Sequence, residues 1–251
     1  MVYGLWQSAS GLRTQDFRQT VIANNMANID TPGFKPDSVA FAERLSEAQR
    51  RGGFAGDRIL GRMTGGVVET NVHTDFAPGP IAPTGNPLDV AILNGGFLSV
   101  QTPEGVRYTR DGRMTRSPNG MLVHVATGYP VLSDQGREIL LDPNSNETPD
   151  IGPRGLIRQG GADIGRLGVV DFADRRTLNK TGTNLYEAGA EPIPQADATL
   201  QSGSIEGSAV DPVKTLVEMI AASRAYELNA NLITMQDQSL GRVINDVGRV
   251  A

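Results

Sequence analysis

Two histidines, His73 and His124, are the only imidazoles in the chain, and Asp75 beside the first completes the nearest approach to a metal-ligand set. Zinc sites draw on ligands at short, regular spacings, and neither histidine stands in such a pattern. Asp89, Asp111 and Asp134 offer a second chemistry. Two carboxyl groups roughly 5–10 Å apart can serve as acid and base in glycoside hydrolysis. Asp111-Gly112 and Asp134-Gln135-Gly136 are turn signals, however, and Asn86-Pro87-Leu88-Asp89 reads as a turn entering a strand, so ordinary backbone hydrogen bonding accounts for these residues. No phosphate-binding loop, nucleophile elbow or dinucleotide fingerprint is present. The reading is therefore of a chain with no catalytic, metal or cofactor site. A glycan hydrolase with paired carboxylates is the enzymatic alternative.

The residues that remain must work by position and packing, and composition says in what setting. The chain has 251 residues, of which 39% are hydrophobic and 20% charged, the range of a folded globular protein with one large or two small domains. A net charge of −5 supplies no basic field for a nucleic-acid backbone. Absence of cysteine excludes disulfides, thiolate metal sites and cysteine nucleophiles. No apolar run approaches the roughly 20 residues that span a bilayer. Met1 to Trp6 lacks the parts of a cleaved secretory signal, so an extracytoplasmic destination calls for export without cleavage.

Periodicity divides the chain in three. Val2 to Ile29 contains no proline and spaces Leu5, Ala9, Leu12, Asp16, Gln19, Ala23 and Met26 by threes and fours, which predicts a helix. Asp30-Thr31-Pro32-Gly33 stops it. Residues 31–76 read as a connector, with a short helix over Ser38 to Arg51 carrying Phe41 and Leu45, then a glycine- and arginine-bearing stretch around Arg58. From 77 to 206 the period turns to two. Strands are expected at Leu88–Leu93, Phe97–Gln101, Arg107–Arg110, Met121–His124, Glu138–Leu141 and Leu167–Phe172, separated by glycine turns, with Asp111-Gly112 closing a hairpin. This is an antiparallel sheet, sandwich or partial barrel.

Residues 207–251 return to helix. Asp211 and Pro212 suit its cap and first position. The seam runs through Met219, Ala222, Tyr226, Asn229, Ile233, Gln236, Leu240, Val243, Val247 and Val250, widened by Leu216, Ile220, Leu228, Leu232, Met235 and Ile244. The fold class is thus α+β: long N- and C-terminal helices, 1–30 with 207–251, pair as a coiled-coil-like bundle and enclose a central antiparallel β-rich domain. Two helices cannot cover so broad a stripe, and such surface marks a partner. The expected assembly interface is Leu5, Ala9, Leu12, Ala23, Met26, Asn24, Asn25 and Asn28, with Met219, Ala222, Tyr226, Asn229, Ile233, Gln236, Leu240, Val243 and Val247. A β-rich scaffold with a private helical hairpin is the non-assembling alternative.

Three runs carry a resemblance. Val21-Ile-Ala-Asn-Asn-Met-Ala-Asn-Ile-Asp-Thr-Pro-Gly-Phe-Lys35 resembles the signature of bacterial flagellar rod and hook proteins. Thr84-Gly-Asn-Pro-Leu-Asp-Val-Ala-Ile92, Gly96-Phe97 and Tyr108-Thr-Arg-Asp-Gly112 are similar to that family's β domain, and Gly203-Ser-Ile-Glu-Gly-Ser208 with Ser223-Arg-Ala-Tyr-Glu-Leu-Asn229 to its closing helix. The resemblance implies a structural subunit of the basal-body rod, the drive shaft from motor to hook across the periplasm. It implies export through the flagellar type III apparatus, and as partners the chain itself, other rod proteins, and hook or ring proteins. Size suits the proximal-rod and distal-rod types; Arg224-Ala-Tyr-Glu227 leans to the distal type, while the resemblance taken as a whole favours the proximal type.

Overall fold

Freedom from proline lets residues 2 to 27 form one helix, α1 (Val2–Ala27). Asp211 starts the second, α2 (Pro212–Gly248), by accepting hydrogen bonds at Oδ1 from the Val213 and Lys214 amides, both at 3.0 Å. Proline at its first position has no amide to leave unsatisfied. The structure is a computed structural model that describes residues 2–45, 65–142, 145 and 147–248. The chain is α+β, with its strands paired antiparallel.

The chain separates into two compact units. The helical unit holds residues 1–27, 37–74 and 211–251; the β unit holds 28–36 and 75–210. In the helical unit, β1 (Asp37–Glu43) pairs with β2 (Val67–Thr74) as an antiparallel hairpin on α1. The helix expected from Ser38 onward is therefore corrected over residues 38–43. Its physical cause is local: the Asn25 side chain donates to the Asp37 carbonyl at 2.7 Å and accepts from the Asp37 amide at 2.9 Å, clamping that backbone as a neighbouring strand would. Val39 then lies opposite Val72, a pairing of β-branched residues that suits a pleated surface. Arg44 and Leu45 are not helical either; residues 46–51 of that expected helix and the stretch around Arg58 lie outside the described residues.

The β unit is built on a six-stranded sheet. Its spatial order is β13 (Leu178–Gly182), β14 (Leu185–Ala188), β6 (Gly105–Thr109), β5 (Phe97–Thr102), β12 (Val169–Asp171) and β15 (Ile193–Pro194). Beside it run the sheet β9 (Asp150–Ile151), β10 (Leu156–Gln159), β11 (Ala162–Arg166) and three ladders: β3 (Ile81–Pro83) with β17 (Ser204–Glu206), β4 (Val90–Ile92) with β16 (Leu200–Ser202), and β7 (Met114–Arg116) with β8 (Leu122–His124). Leu98, Met114, Leu122, Ile157 and Leu167 belong to the aliphatic core, and Phe97, Tyr108, Phe172 and Tyr186 to an aromatic one. Expected strands coincide with β4, β5, β6, β8 and β12, whereas Glu138–Leu141 makes only single bridges, Glu138 to Leu132 and Leu140 to Met121. Asp111-Gly112 closes no hairpin: β6 pairs with β5 and β14, while β7 pairs with β8. The Asp111 carboxylate is committed elsewhere.

Candidate assembly interface

In the helical unit α1 and α2 run antiparallel, Gly4 against Gln236 and Gly11 against Asn229. Small residues at one helical spacing, Gly4, Ser8 and Gly11, let α2 come close. A β-carbon added at Gly11 would stand 2.9 Å from Asn229 Oδ1, and Gln236 Nε2 donates to Ser8 Oγ at 3.5 Å. Met219, Tyr226, Ile233 and Leu240 share the helical row of Asn229 and Gln236 and are half-buried, with Ala222 fully buried. On α1, Leu5, Leu12 and Met26 are half-buried, Ala9, Ala23 and Asn24 are exposed, and Asn25 is buried as the clamp on Asp37; Asn28, half-buried, follows the helix and belongs to the β unit. Val243 is exposed; the Val247 side chain lies outside the described residues.

Of the residues that widen the α2 stripe, Ile244 lies near the α1-facing row and the others point elsewhere. Leu216, Ile220, Leu228, Leu232 and Met235, with Val217 beside them, are all exposed, Leu228 to 65%. At 100° per residue they centre roughly 160° around the helix from the Ala222–Asn229–Ile233 row. One side of α2 thus meets α1 while its reverse is an apolar surface in water, an arrangement that a free monomer does not favour.

In the β unit the three sequence runs meet. Glu206, from the third, lies buried between two cations: Lys35 of the first at 2.5 Å and Arg110 of the second at 3.4 Å. The Lys35 ammonium is wholly buried and also donates to the Ala77 carbonyl at 2.7 Å; Glu206 Oε1 accepts from the Gly79 amide at 2.8 Å. Burial pushes Lys35 below its ordinary value, and Glu206 opposes that. Arg110 also lies over the Phe97 ring, its guanidinium carbon 5.0 Å from the centroid. Backbone contacts seal the junction: the Gly33 amide donates to the Glu206 carbonyl at 2.7 Å, and the Ala209 amide to the Phe34 carbonyl at 3.0 Å. The segment that follows α1 and the segment that precedes α2 are fastened side by side.

Next to Arg110, Asp111 is buried with Arg113 Nη2 at 2.7 Å and His124 Nε2 at 3.3 Å from its Oδ2. Burial works against the charged carboxylate, but His124 and Arg113 outweigh it and hold Asp111 below its ordinary value of 3.8. A carboxyl so engaged is a poor general acid. Asp89, likewise buried, accepts from Asn86 Nδ2 at 2.9 Å, as a turn residue does. The depressed value sets a sign. The folded state binds fewer protons than the unfolded chain, so the contribution of Asp111 is complete above about pH 3.8 and lost as pH falls below it. Asp111→Asn is expected to cost about 2 kcal/mol at neutral pH and to flatten the acid limb of stability. Urea midpoints measured across the acid range test this; an unchanged limb refutes it.

Among the described residues no group of three or more histidine, cysteine, aspartate or glutamate side chains could hold a metal ion, and no helix is long and apolar enough to cross a membrane. Sequence reasoning overlooked the Lys35–Glu206–Arg110 cluster, although each of the three runs contributes one charged member. It also overlooked Trp6, which is 59% exposed on α1.

Comparison with known proteins matches residues 7–35 to the family model "Flagella basal body rod protein". Residues 91–159 match "Flagellar hook protein FlgE/F/G D1 domain", and 201–246 match "Flagellar basal body rod FlgEFG protein C-terminal". The chain is 36% identical over 233 residues to the flagellar basal-body rod protein FlgF of Caulobacter vibrioides, covering 92% of this chain and 91% of that protein. It is 32% identical over 267 residues to the flagellar basal-body rod protein FlgG of Bacillus subtilis, covering 98% and 99%. Against FlgG of Buchnera aphidicola subsp. Schizaphis graminum it is 35% identical over 263 residues, covering 97% and 99%.

Proposed function

The chain belongs to the flagellar basal-body rod protein family, and from that premise we propose how it works as a structural subunit of the rod: its terminal helices join those of neighbouring subunits in a coiled-coil-like bundle that carries torque from motor to hook. The observation that carries this reading is the apolar reverse side of α2, which α1 leaves uncovered. Residues on the α1 row, among them Ala222, Tyr226, Asn229, Ile233 and Gln236, hold the hairpin in the shape that presents the reverse side. Asn229 and Gln236, set against Gly11 and Gly4, fix its register at some cost in stability. The work is mechanical, without catalysis. Export through the flagellar apparatus, a place in the periplasm-crossing rod, and contacts with other rod proteins and with hook or ring proteins belong to the same proposal.

Ile233→Asp tests it. A carboxylate on the α1 row must leave either the pairing or the solvent shell, so the hairpin loosens. The expected outcome is loss of swimming and of assembled rods, with the β-unit circular-dichroism signal intact. Full swimming by cells that carry only this variant defeats the proposal.

A further inference from the structure

The β unit encloses a cavity of about 450 Å³ that the assembly reading leaves unused, and its size is that of a small-molecule site. Its floor is one face of the six-stranded sheet, where Ser99 on β5 and Tyr108 on β6 are direct cross-strand partners. Val106, Leu132, Val169 and Pro194 supply apolar walls. The two floor residues are each only 7% exposed, and among the described residues neither hydroxyl makes a hydrogen bond. Neither oxygen is shut inside the protein either, so both are open to the cavity.

Buried polar groups nearly always have a partner, so two adjacent hydroxyls without one in the protein are the informative exception. A hydroxyl can both donate and accept, which suits it to a hydroxyl or carbonyl on a guest. Burial pushes the Tyr108 phenol above its ordinary value of 10.0, so at neutral pH it keeps its proton. Phe172 steadies the ring from the side, its centroid 4.9 Å from that of Tyr108 in an edge-on contact.

The mouth has the opposite character. Arg154 and Arg166 line it, both exposed, and among the described residues neither side chain has a hydrogen bond or ion pair. Local backbone places them. Arg154 sits in the turn that the Gly155 amide closes on the Gly152 carbonyl at 2.8 Å, and Arg166 ends β11 opposite Leu156. Asp134 is the acidic side chain of the lining, so the charged groups there sum to one positive charge. Planar guanidinium groups match a carboxylate in both geometry and charge.

We propose that this cavity binds a small organic acid whose apolar body carries a hydroxyl at one end and a carboxylate at the other. The hydroxyl meets Ser99 and Tyr108 on the floor, the body fills the walls, and the carboxylate faces Arg154 and Arg166. The site lies within the β unit and takes nothing from the terminal helices, so it stands or falls apart from the rod reading.

Calorimetric titration of the full chain with 4-hydroxyphenylacetate tests it. One molecule is expected per chain. Phenylacetate, without the hydroxyl, and tyramine, without the carboxylate, should each bind about tenfold more weakly. Tyr108→Phe should lose most of the preference for the hydroxylated acid over phenylacetate. Arg166→Gln should lose most of the preference for that acid over tyramine. If Tyr108→Phe does not fold, Arg166→Gln decides alone, because its side chain is exposed. Absence of heat from both acids at millimolar concentration means that the hydroxyls serve solvent only, and it overturns the proposal. Equal affinity for the three probes overturns it too. Tighter binding of a capped tyrosyl-aspartate dipeptide than of the free acid makes a partner chain the occupant and overturns the small-ligand assignment.

Discussion

Glu206→Ala is expected to destabilise the β unit by about 3–5 kcal/mol, because it strips the carboxylate from between two buried cations. Lys35 is wholly buried and Glu206 is 2% exposed, so water cannot replace the lost partner. The Gly79 amide loses its acceptor in the same step. Glu206→Gln keeps an acceptor for that amide but not the charge, and should fall between wild type and alanine. A second substitution refines the expectation. Lys35→Met in the Glu206→Ala background removes one orphaned cation and should recover part of the loss, while Arg110 still lacks its partner. Chemical unfolding of the full chain, followed through the β-sheet circular-dichroism signal, provides the measurement. A midpoint for Glu206→Ala equal to wild type would remove the cluster from the account of this fold.

Gly33→Ala should be comparably severe, and for a separable reason. Gly33 has φ +67, and a β-carbon there would lie 2.5 Å from the Arg110 carbonyl carbon and 2.6 Å from the Asp111 nitrogen. Backbone cannot step aside as a flexible side chain can. The left-handed conformation alone costs roughly 1–2 kcal/mol for alanine, and overlap with a fixed peptide adds about 1–3 kcal/mol. Gly128→Ala is the internal control, since Gly128 has φ +71 with nothing within 4 Å of an added β-carbon. It should show the conformational cost without the collision. If both variants unfold at the same denaturant concentration, the close approach of Gly33 to residues 110 and 111 contributes nothing.

These two expectations come from the spot where sequence reading stopped short. The long helices were legible because α1 lacks proline and α2 opens on Asp211-Pro212, both local signals. Strands β4, β5, β6, β8 and β12 were legible through glycine turns and alternation. Strands β9 to β11 and β13 to β17 were not, because several have two to four residues and their partners are set by distant chain; β16 joins β4 and β17 joins β3. The hairpin β1–β2 was hidden for another reason. Ser38 to Arg51 has helical spacing at Phe41 and Leu45, and it is pairing with the distant β2, together with the Asn25 side chain twelve residues before Asp37, that draws residues 37–43 into a strand. Lys35, Arg110 and Glu206 each looked like a surface charge, since neither pattern nor spacing reveals that residues 171 apart will share one dry site.

The helical unit draws its two helices from opposite sides of the β unit in sequence, with residues 28–36 and 75–210 spent on that other unit in between. A chain that folds from its first residue therefore has α1 waiting: Gly4 and Gly11 have nothing to receive until Gln236 and Asn229 arrive more than two hundred residues later. Loop closure over that span is entropically slow. A copy truncated before residue 211 therefore lacks α2, and with it the exposed apolar side that Leu216, Ile220, Leu228 and Leu232 supply.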